Sequence, residues 1–476
     1  MITREGQKEI FDFVLFDEET QERLMPDWLV LAEMVDLTDE VVHTAVTEWL
    51  PRLKDCQFKG VRMALGACLR EFAEIGRFRR RLAEGEDVRS CYGVLPAILS
   101  PYQALKYAGG DNVYVAFPDM VLMKAMQEIF HHAHHLFAKA EESGFSYGAR
   151  HCALNKLGIA GRLTGIVPIP TVMWSWGLVC DEATKVDEYL KRMMKADWVS
   201  VVTRLPHDTY DEDIDFEKPE RVQYLGGSIR RGIEVASEAM GITVTDQNLA
   251  DAVADYNRYM GKVGALGRMT RAADPVPLRN TTSSILSLPA SIPFNSGLQY
   301  LEEAVDVLTQ ELAEAIERGE GLAPKGHPKV GMYFNPSQNA WFDDLLIQNG
   351  VVVTMGLPST MSKAQLTPST LEDPYEQMAE QWLKMNFGMG CGADVRNWCE
   401  KIEASGVDAM IVGFLDYDRW LGQVQKVGAQ LVEERLGIPT FYVEGDFYDD
   451  RDYSEEALKT RVESICQIIK MRKAMQ

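Results

Sequence analysis

The chain has 476 residues, 46% of them hydrophobic and 25% charged, with a net charge of −22 at pH 7. That length and balance describe a globular protein of two or three domains. The acidic excess argues against nucleic acid and against anionic membrane surfaces as partners, since both are bound through clustered Lys and Arg. It leaves room for a local cationic pocket that takes a small anionic ligand.

In chain order, Met1 to Asp17 is charged early and lacks a signal-peptide core, and no apolar run approaches the ~20 residues of a spanning helix. The expected location is therefore the cytoplasm. Residues 1–95 read as a helical N-terminal region, with helical spacing at Pro26 to Met34, Glu40 to Leu50 and a long helix from Val61 to Leu82. The basic run Arg77 and Arg79 to Arg81 near its end reads as solvated surface charge rather than an anion site. Residues 96–218 form a first α/β lobe. Its strands are expected at Val113–Phe117, Val167–Ser175 and Trp198–Thr203, and its helices from Asp119 and over Asp181–Met194. Residues 219–325 are mainly helical: Thr245 caps one helix, Leu286 to Pro293 is an apolar loop, and Tyr300 to Ile316 is an amphipathic helix. Gly319, Gly321, Pro324, Gly326 and Pro328 then break the chain as a linker. Residues 326–476 form a second α/β lobe, with strands at Val330–Phe334, Val351–Met355, Ala409–Phe414 and Thr440–Val443. Two parallel-sheet lobes imply a cleft between them, the usual place for a site.

The chain carries eight cysteines. In a reducing compartment they are expected as thiols. None forms CxxC or CxxxC, so a metal site has to gather cysteines that are distant in sequence. Tyr147-Gly-Ala-Arg-His-Cys152 runs into a helix, and in Pro170 to Lys185 a strand leads through a loop to Cys180 at a helix start. Ligands of open α/β sheets gather at the carboxyl ends of strands, and a helix N-terminus stabilises a thiolate. The bland alternative, a buried inert cysteine, is favoured on position alone. In the second lobe, Gly413-Phe-Leu-Asp-Tyr-Asp418-Arg-Trp420 ends a strand with acidic and aromatic residues; Asp416 or Asp418 could equally be a helix N-cap. The histidines of His131 to His135 cannot all point one way and read as a solvated or interface patch. Cys391 and Cys399 read as core, with Cys391 a reserve ligand. Trp174 to Trp176, Trp341–Phe342 and Trp420 would suit a ring-bearing ligand or a core. There is no P-loop, no GxSxG elbow and no GxGxxG after a strand, so neither ATP hydrolysis nor serine-type acyl chemistry is supported.

From about Leu95 to the C-terminus these segments resemble the D-component family of 2-hydroxyacyl-CoA dehydratases, which includes the ATP-dependent benzoyl-CoA reductase subunits. Ser100-Pro-Tyr-Gln-Ala-Leu-Lys-Tyr-Ala-Gly-Gly is similar to the family's opening stretch. Cys152 and Cys180 match its first two cluster cysteines, with Cys180-Asp-Glu-Ala-Thr-Lys the usual continuation. Asp251 to Tyr259 and Pro275 to Leu308 follow its middle helices. Gly437-Ile-Pro-Thr-Phe-Tyr-Val-Glu-Gly-Asp446, with Arg451, Ser454 and Thr460-Arg461, is close to its C-terminal signature.

The resemblance implies two flavodoxin-like parallel-sheet lobes with helical N-terminal and middle regions, holding a [4Fe–4S] cluster. It implies a homologous smaller subunit as partner and a separate ATP-dependent iron–sulfur activator protein that injects the electron. The substrate class would be a CoA thioester, reduced by one electron to a ketyl radical anion that expels its α-hydroxyl; aromatic acyl-CoA reduction would use the same machinery. Two positions depart from the family pattern. Asp418 stands where the third cluster cysteine is usual, a harder oxygen ligand, and Gln103 stands where an acid is common and cannot replace it in proton transfer. The site expected from the resemblance is therefore Cys152, Cys180 and Asp418 around the cluster, with Asp418 and Gln103 as the candidate catalytic positions. Two other readings follow from the same residues. One is a non-catalytic scaffold or CoA-binding subunit beside an active homologue. The other is a stand-alone, iron-free enzyme using Asp416, Asp418 or His151.

Overall fold

A computed structural model describes residues 1–144, 151–177, 183–204, 218–333, 340–356, 359–385, 391–414, 419–444, 446, 448–449, 451 and 455–475. The N-terminal region is built from α1 (Arg4–Phe13), α2 (Glu18–Met34), α3 (Asp39–Thr44) and α4 (Lys59–Ala83). The first three start where Thr3, Asp17 and Thr38 turn a side-chain oxygen to an orphan amide of the first turn. Helix α4 is buried along most of its length and carries the basic run. Arg80 pairs with Asp27 at 2.7 Å and Arg81 with Glu86 at 2.6 Å, while Arg77 lies 3.5 Å from Glu74 and from Asp111. Arg79 instead donates to the Gly165 carbonyl, so the run is engaged within the chain and does not form an anion site.

The first lobe comprises β1 (Arg89–Val94), α5 (Ser100–Gly109), β2 (Val113–Ala116), α6 (Pro118–Leu122), α7 (His134–Glu142), α8 (Ala153–Leu163), β3 (Val172–Gly177), α9 (Ala183–Met194) and β4 (Val199–Arg204). A π-helical stretch, Met123–Ile129, interrupts the helix expected from Asp119. The helices α10 (Pro219–Met240), α11 (Asp246–Ala272), α12 (Asn280–Ser287) and α13 (Gln299–Glu317) form the middle region. Thr245 caps α11 through a reciprocal box with Asn248. The second lobe comprises β5 (Lys329–Tyr333), α14 (Ala340–Gln348), β6 (Val352–Gly356), α16 (Cys391–Ser405), β7 (Ala409–Phe414), α17 (Arg419–Leu436), β8 (Thr440–Glu444) and α18 (Glu455–Met475), while α15 (Pro374–Leu383), between β6 and α16 in the chain, packs on α10 and α11 in the core of the first sheet.

Both sheets are parallel, four-stranded and ordered alike, β2-β1-β3-β4 and β6-β5-β7-β8. The expected α/β class with two flavodoxin-like lobes is therefore what the chain adopts. The central strand β1 falls inside the stretch read as helical. Arg-Ser-Cys-Tyr-Gly-Val has only one β-branched residue, and positions 90–94 are all buried, so no alternation announces the strand. The apolar stretch at Leu286 to Pro293 likewise differs from a loop at its start, because α12 runs through Ser287 and a 3₁₀ turn follows.

Candidate active site

In a doubly wound sheet the strand order reverses between two neighbours, and ligands collect beyond the strands' carboxyl ends at that point. Here the reversals lie between β1 and β3 and between β5 and β7. Helix α8 returns the chain to the start of β3, so its N-terminus stands at the carboxyl edge of the first sheet. Cys152 is the N-cap of α8, non-helical in backbone conformation and half-buried, and its side chain does not cap the helix.

The cap comes instead from the other lobe. The Ala153 amide donates to Asp446 Oδ2 at 2.7 Å, across 293 sequence positions. Asp446 follows the end of β8 and is 2% exposed. Its Oδ1 accepts from the amides of Tyr448, at 2.8 Å, and Asp449, at 3.4 Å. Tyr448 is buried in the core of the first lobe and N-terminal region, its hydroxyl 3.8 Å from Met120 Sδ. Beside it, Lys156 of α8 lies 3.1 Å from Glu141 of α7 and 3.7 Å from Asp449. Arg451 completes the network at 2.8 Å from Glu141 and 2.6 Å from Asp449. These cations hold the Glu141 carboxyl below its ordinary range despite the opposing effect of burial.

Helix α8 is also fixed from within its lobe. Arg162 donates to Asp119 of α6 at 2.6 Å, both fully buried. A side chain at Gly158 would start 2.2 Å from that Asp119 carboxylate, so only glycine lets α6 approach so closely. Position and orientation of the Cys152 helix are thus set by contacts on two sides.

Cys180 and Asp418 lie outside the described residues, as does Asp416. Their flanking elements are defined. Cys180 falls between the end of β3 and the start of α9, which packs on α8. Asp418 falls between the end of β7 and the start of α17, and β7 is paired to β8 up to Phe414 and Glu444. Gln103 is described. It sits in the first turn of α5 beyond β1, is 3% exposed, and its Oε1 has no partner among the described residues. Its side chain bonds Tyr107, whose hydroxyl donates to Asp255 of α11. That bond places it on the face of α5 turned to α11.

Trp174 and Trp176 are fully buried, stacked at 5.1 Å, and donate to Thr203 and to the Tyr102 hydroxyl. They are core, not a ring-binding wall. His131 packs on Trp49 at 3.8 Å and His132 bonds the Asp36 carbonyl at 3.0 Å, so these two rings are engaged by the N-terminal region. Among the described residues no three His, Cys, Asp or Glu side chains are grouped as a metal site. Cys152, a half-buried thiol at a helix N-terminus on the site edge, is nevertheless the donor type that an iron–sulfur cluster needs. Asp446 and Arg451 entered the sequence reading only as part of the C-terminal signature, and Tyr448, Lys156 and Glu141 had no role in it. The one available signal was a cysteine where a helix start needs a Ser, Thr, Asn or Asp.

A family model described as 2-hydroxyglutaryl-CoA dehydratase, D-component, matches residues 117–469, and the chain belongs to that family. The matched stretch includes Cys152, Cys180, Asp418 and Asp446 and excludes Gln103. A comparison with curated proteins gave no match. Among the described residues no helix is long and apolar enough to cross a membrane.

Proposed function

We propose that this D-component family member is the iron–sulfur subunit of a 2-hydroxyacyl-CoA dehydratase, or of a related aromatic acyl-CoA reductase. The observation that carries the reading is the Cys152 thiol at the N-terminus of α8, joined to the end of β8 through Asp446 at the carboxyl edges of both sheets. Cys152 and Cys180 would hold a [4Fe–4S] cluster, with Asp418 as a weaker oxygen ligand. Bound there, a [4Fe–4S] cluster would supply one-electron and Lewis-acid chemistry toward a CoA thioester.

The chain's own residues give this chemistry its setting. The dipole of α8 favours negative charge at Cys152. Asp446 and the Glu141–Lys156–Asp449–Arg451 network keep the two lobes in one arrangement around it. Gln103 carries an amide where an acid would be needed for proton transfer, so the β-proton of a substrate would have to leave through another base. A homologous smaller subunit and an ATP-dependent activator are the expected partners. The chain should locate to the cytoplasm.

The test is anaerobic reconstitution of the chain with iron and sulfide beside its co-expressed partner. The reading expects a brown protein whose visible absorption is bleached by dithionite. A colourless, iron-free protein under those conditions overturns it. Asp418 in the third cysteine position favours a second reading, a non-catalytic CoA-binding subunit. An iron-free chain that still co-purifies with an active homologous subunit would select that one.

A further inference from the structure

Helix starts leave backbone amides without partners, and the residue at the cap position usually supplies the missing acceptor through a short oxygen-bearing side chain. Helix α8 has Cys152 at that position, a residue that makes no capping bond here. The acceptor for the Ala153 amide is the Asp446 carboxylate of the opposite lobe, at 2.7 Å. The second oxygen of Asp446 is oriented by the amides of Tyr448 and Asp449. The carboxylate is therefore held at both ends, and Lys156 and Arg451 bind the flanking Asp449 and Glu141.

We propose that Asp446 is a positioning residue: it caps, from the second lobe, the helix that carries Cys152, and thereby fixes where that sulfur stands relative to the strand ends of the second lobe. The arrangement separates two tasks that one residue normally combines. The cap position keeps a half-buried cysteine, while the capping oxygen comes from the other lobe. Because the cap exists only when the lobes are joined, the helix start and the lobe arrangement are set together. The meaning of this for iron rests on the function proposed above; the cap itself does not.

Two measurements separate these parts. In the iron-free full-length chain, hydrogen exchange is followed in the peptide covering the first turn of α8. Asp446→Ala should speed exchange there about fivefold, the loss of one cap. Asp446→Asn keeps a side-chain acceptor and should give a smaller increase, and it serves if the alanine variant fails to fold. Unchanged exchange in both variants overturns the proposal. Wild type and Asp446→Asn are then reconstituted anaerobically with iron and sulfide. The variant should show a shifted reduction potential and altered electron paramagnetic resonance of the reduced protein. An unaltered potential and spectrum, with faster exchange, overturns the positioning role. If wild type takes up no iron, the cluster reading fails, and the exchange measurement alone decides whether Asp446 is the cap.

Discussion

The two lobes share one plan and differ in what they place on it. In each, a helix returns to the third strand of the sheet and another helix leaves it: α8, β3 and α9 in the first lobe, α16, β7 and α17 in the second. Cys152 stands at the start of α8, and α16 begins at Cys391. Cys180 precedes α9 and Asp418 precedes α17 at the same point of the plan. At the start of α8 the described residues show a partner that the plan itself does not contain, the Asp446 cap from across the lobes. A repeated topology supplies equivalent positions, and the contact between the lobes gives the first of them a cap from the other lobe.

The largest effect that would sharpen this contrast is on iron. Cys152→Ser should cut the iron retained after reconstitution by at least about tenfold, whereas Cys391→Ser should leave it near wild type. Equal losses, read by iron and sulfide analysis, would mean that the lobes contribute alike and would break the asymmetry.

The second lobe is anchored to the middle region by buried charge. Arg279, fully buried at the start of α12, lies 3.3 Å from Asp55 and 2.6 Å from Asp344 of α14. Burial pushes the neighbouring Asp343 carboxyl up to about 6, against the pull of Arg279. Arg279→Met would leave Asp55 without its cation, and chemical denaturation should show a loss of about 3–5 kcal/mol.

The first lobe is anchored differently. Glu71 of α4 accepts from the amides of Asn295 and Ser296 at 2.7 and 2.9 Å, and Asn295 Oδ1 accepts the Val115 amide of β2 at 3.2 Å. Burial pushes the Glu71 carboxyl up to about 7 from 4.5, with the nearby Glu74 adding to the rise. The folded chain therefore holds this proton more tightly than the unfolded one. Its contribution is complete below about pH 4.5 and is lost as pH rises through 7. Glu71→Gln should flatten that decline by about 2 kcal/mol between pH 5 and 8, seen in denaturation midpoints. An unchanged pH profile would remove Glu71 as the difference between the two anchors.

The smallest effect expected is at the rim between the lobes. Arg451 is partly exposed, so Arg451→Met should cost about 1 kcal/mol, with the difference from wild type shrinking at high salt. A salt-independent loss would point to packing against Phe137, 5.1 Å from the guanidinium, rather than to the ion pairs.

The sequence by itself determined the class of fold and most of its elements. Apolar, β-branched runs such as Ala409–Phe414 bounded by helical periodicity announce parallel strands with crossovers. Thr245 announces its own helix through a local hydrogen bond. The resemblance also singled out Cys152 and Cys180 as matches to candidate ligand positions and Asp418 as a departure from one, because residue types in a fixed order leave a trace in sequence. Strand β1 escaped notice because a strand buried on both faces shows no alternation when its residues are Ser, Cys, Tyr and Gly. Only the tertiary structure decided that Trp174 and Trp176 are core, and that Cys152 receives its cap from Asp446. Capping by a neighbour three residues away is legible in sequence; capping by a residue 293 positions distant depends on how two lobes meet. Periodicity and propensity are local quantities, and the meeting of the lobes is not.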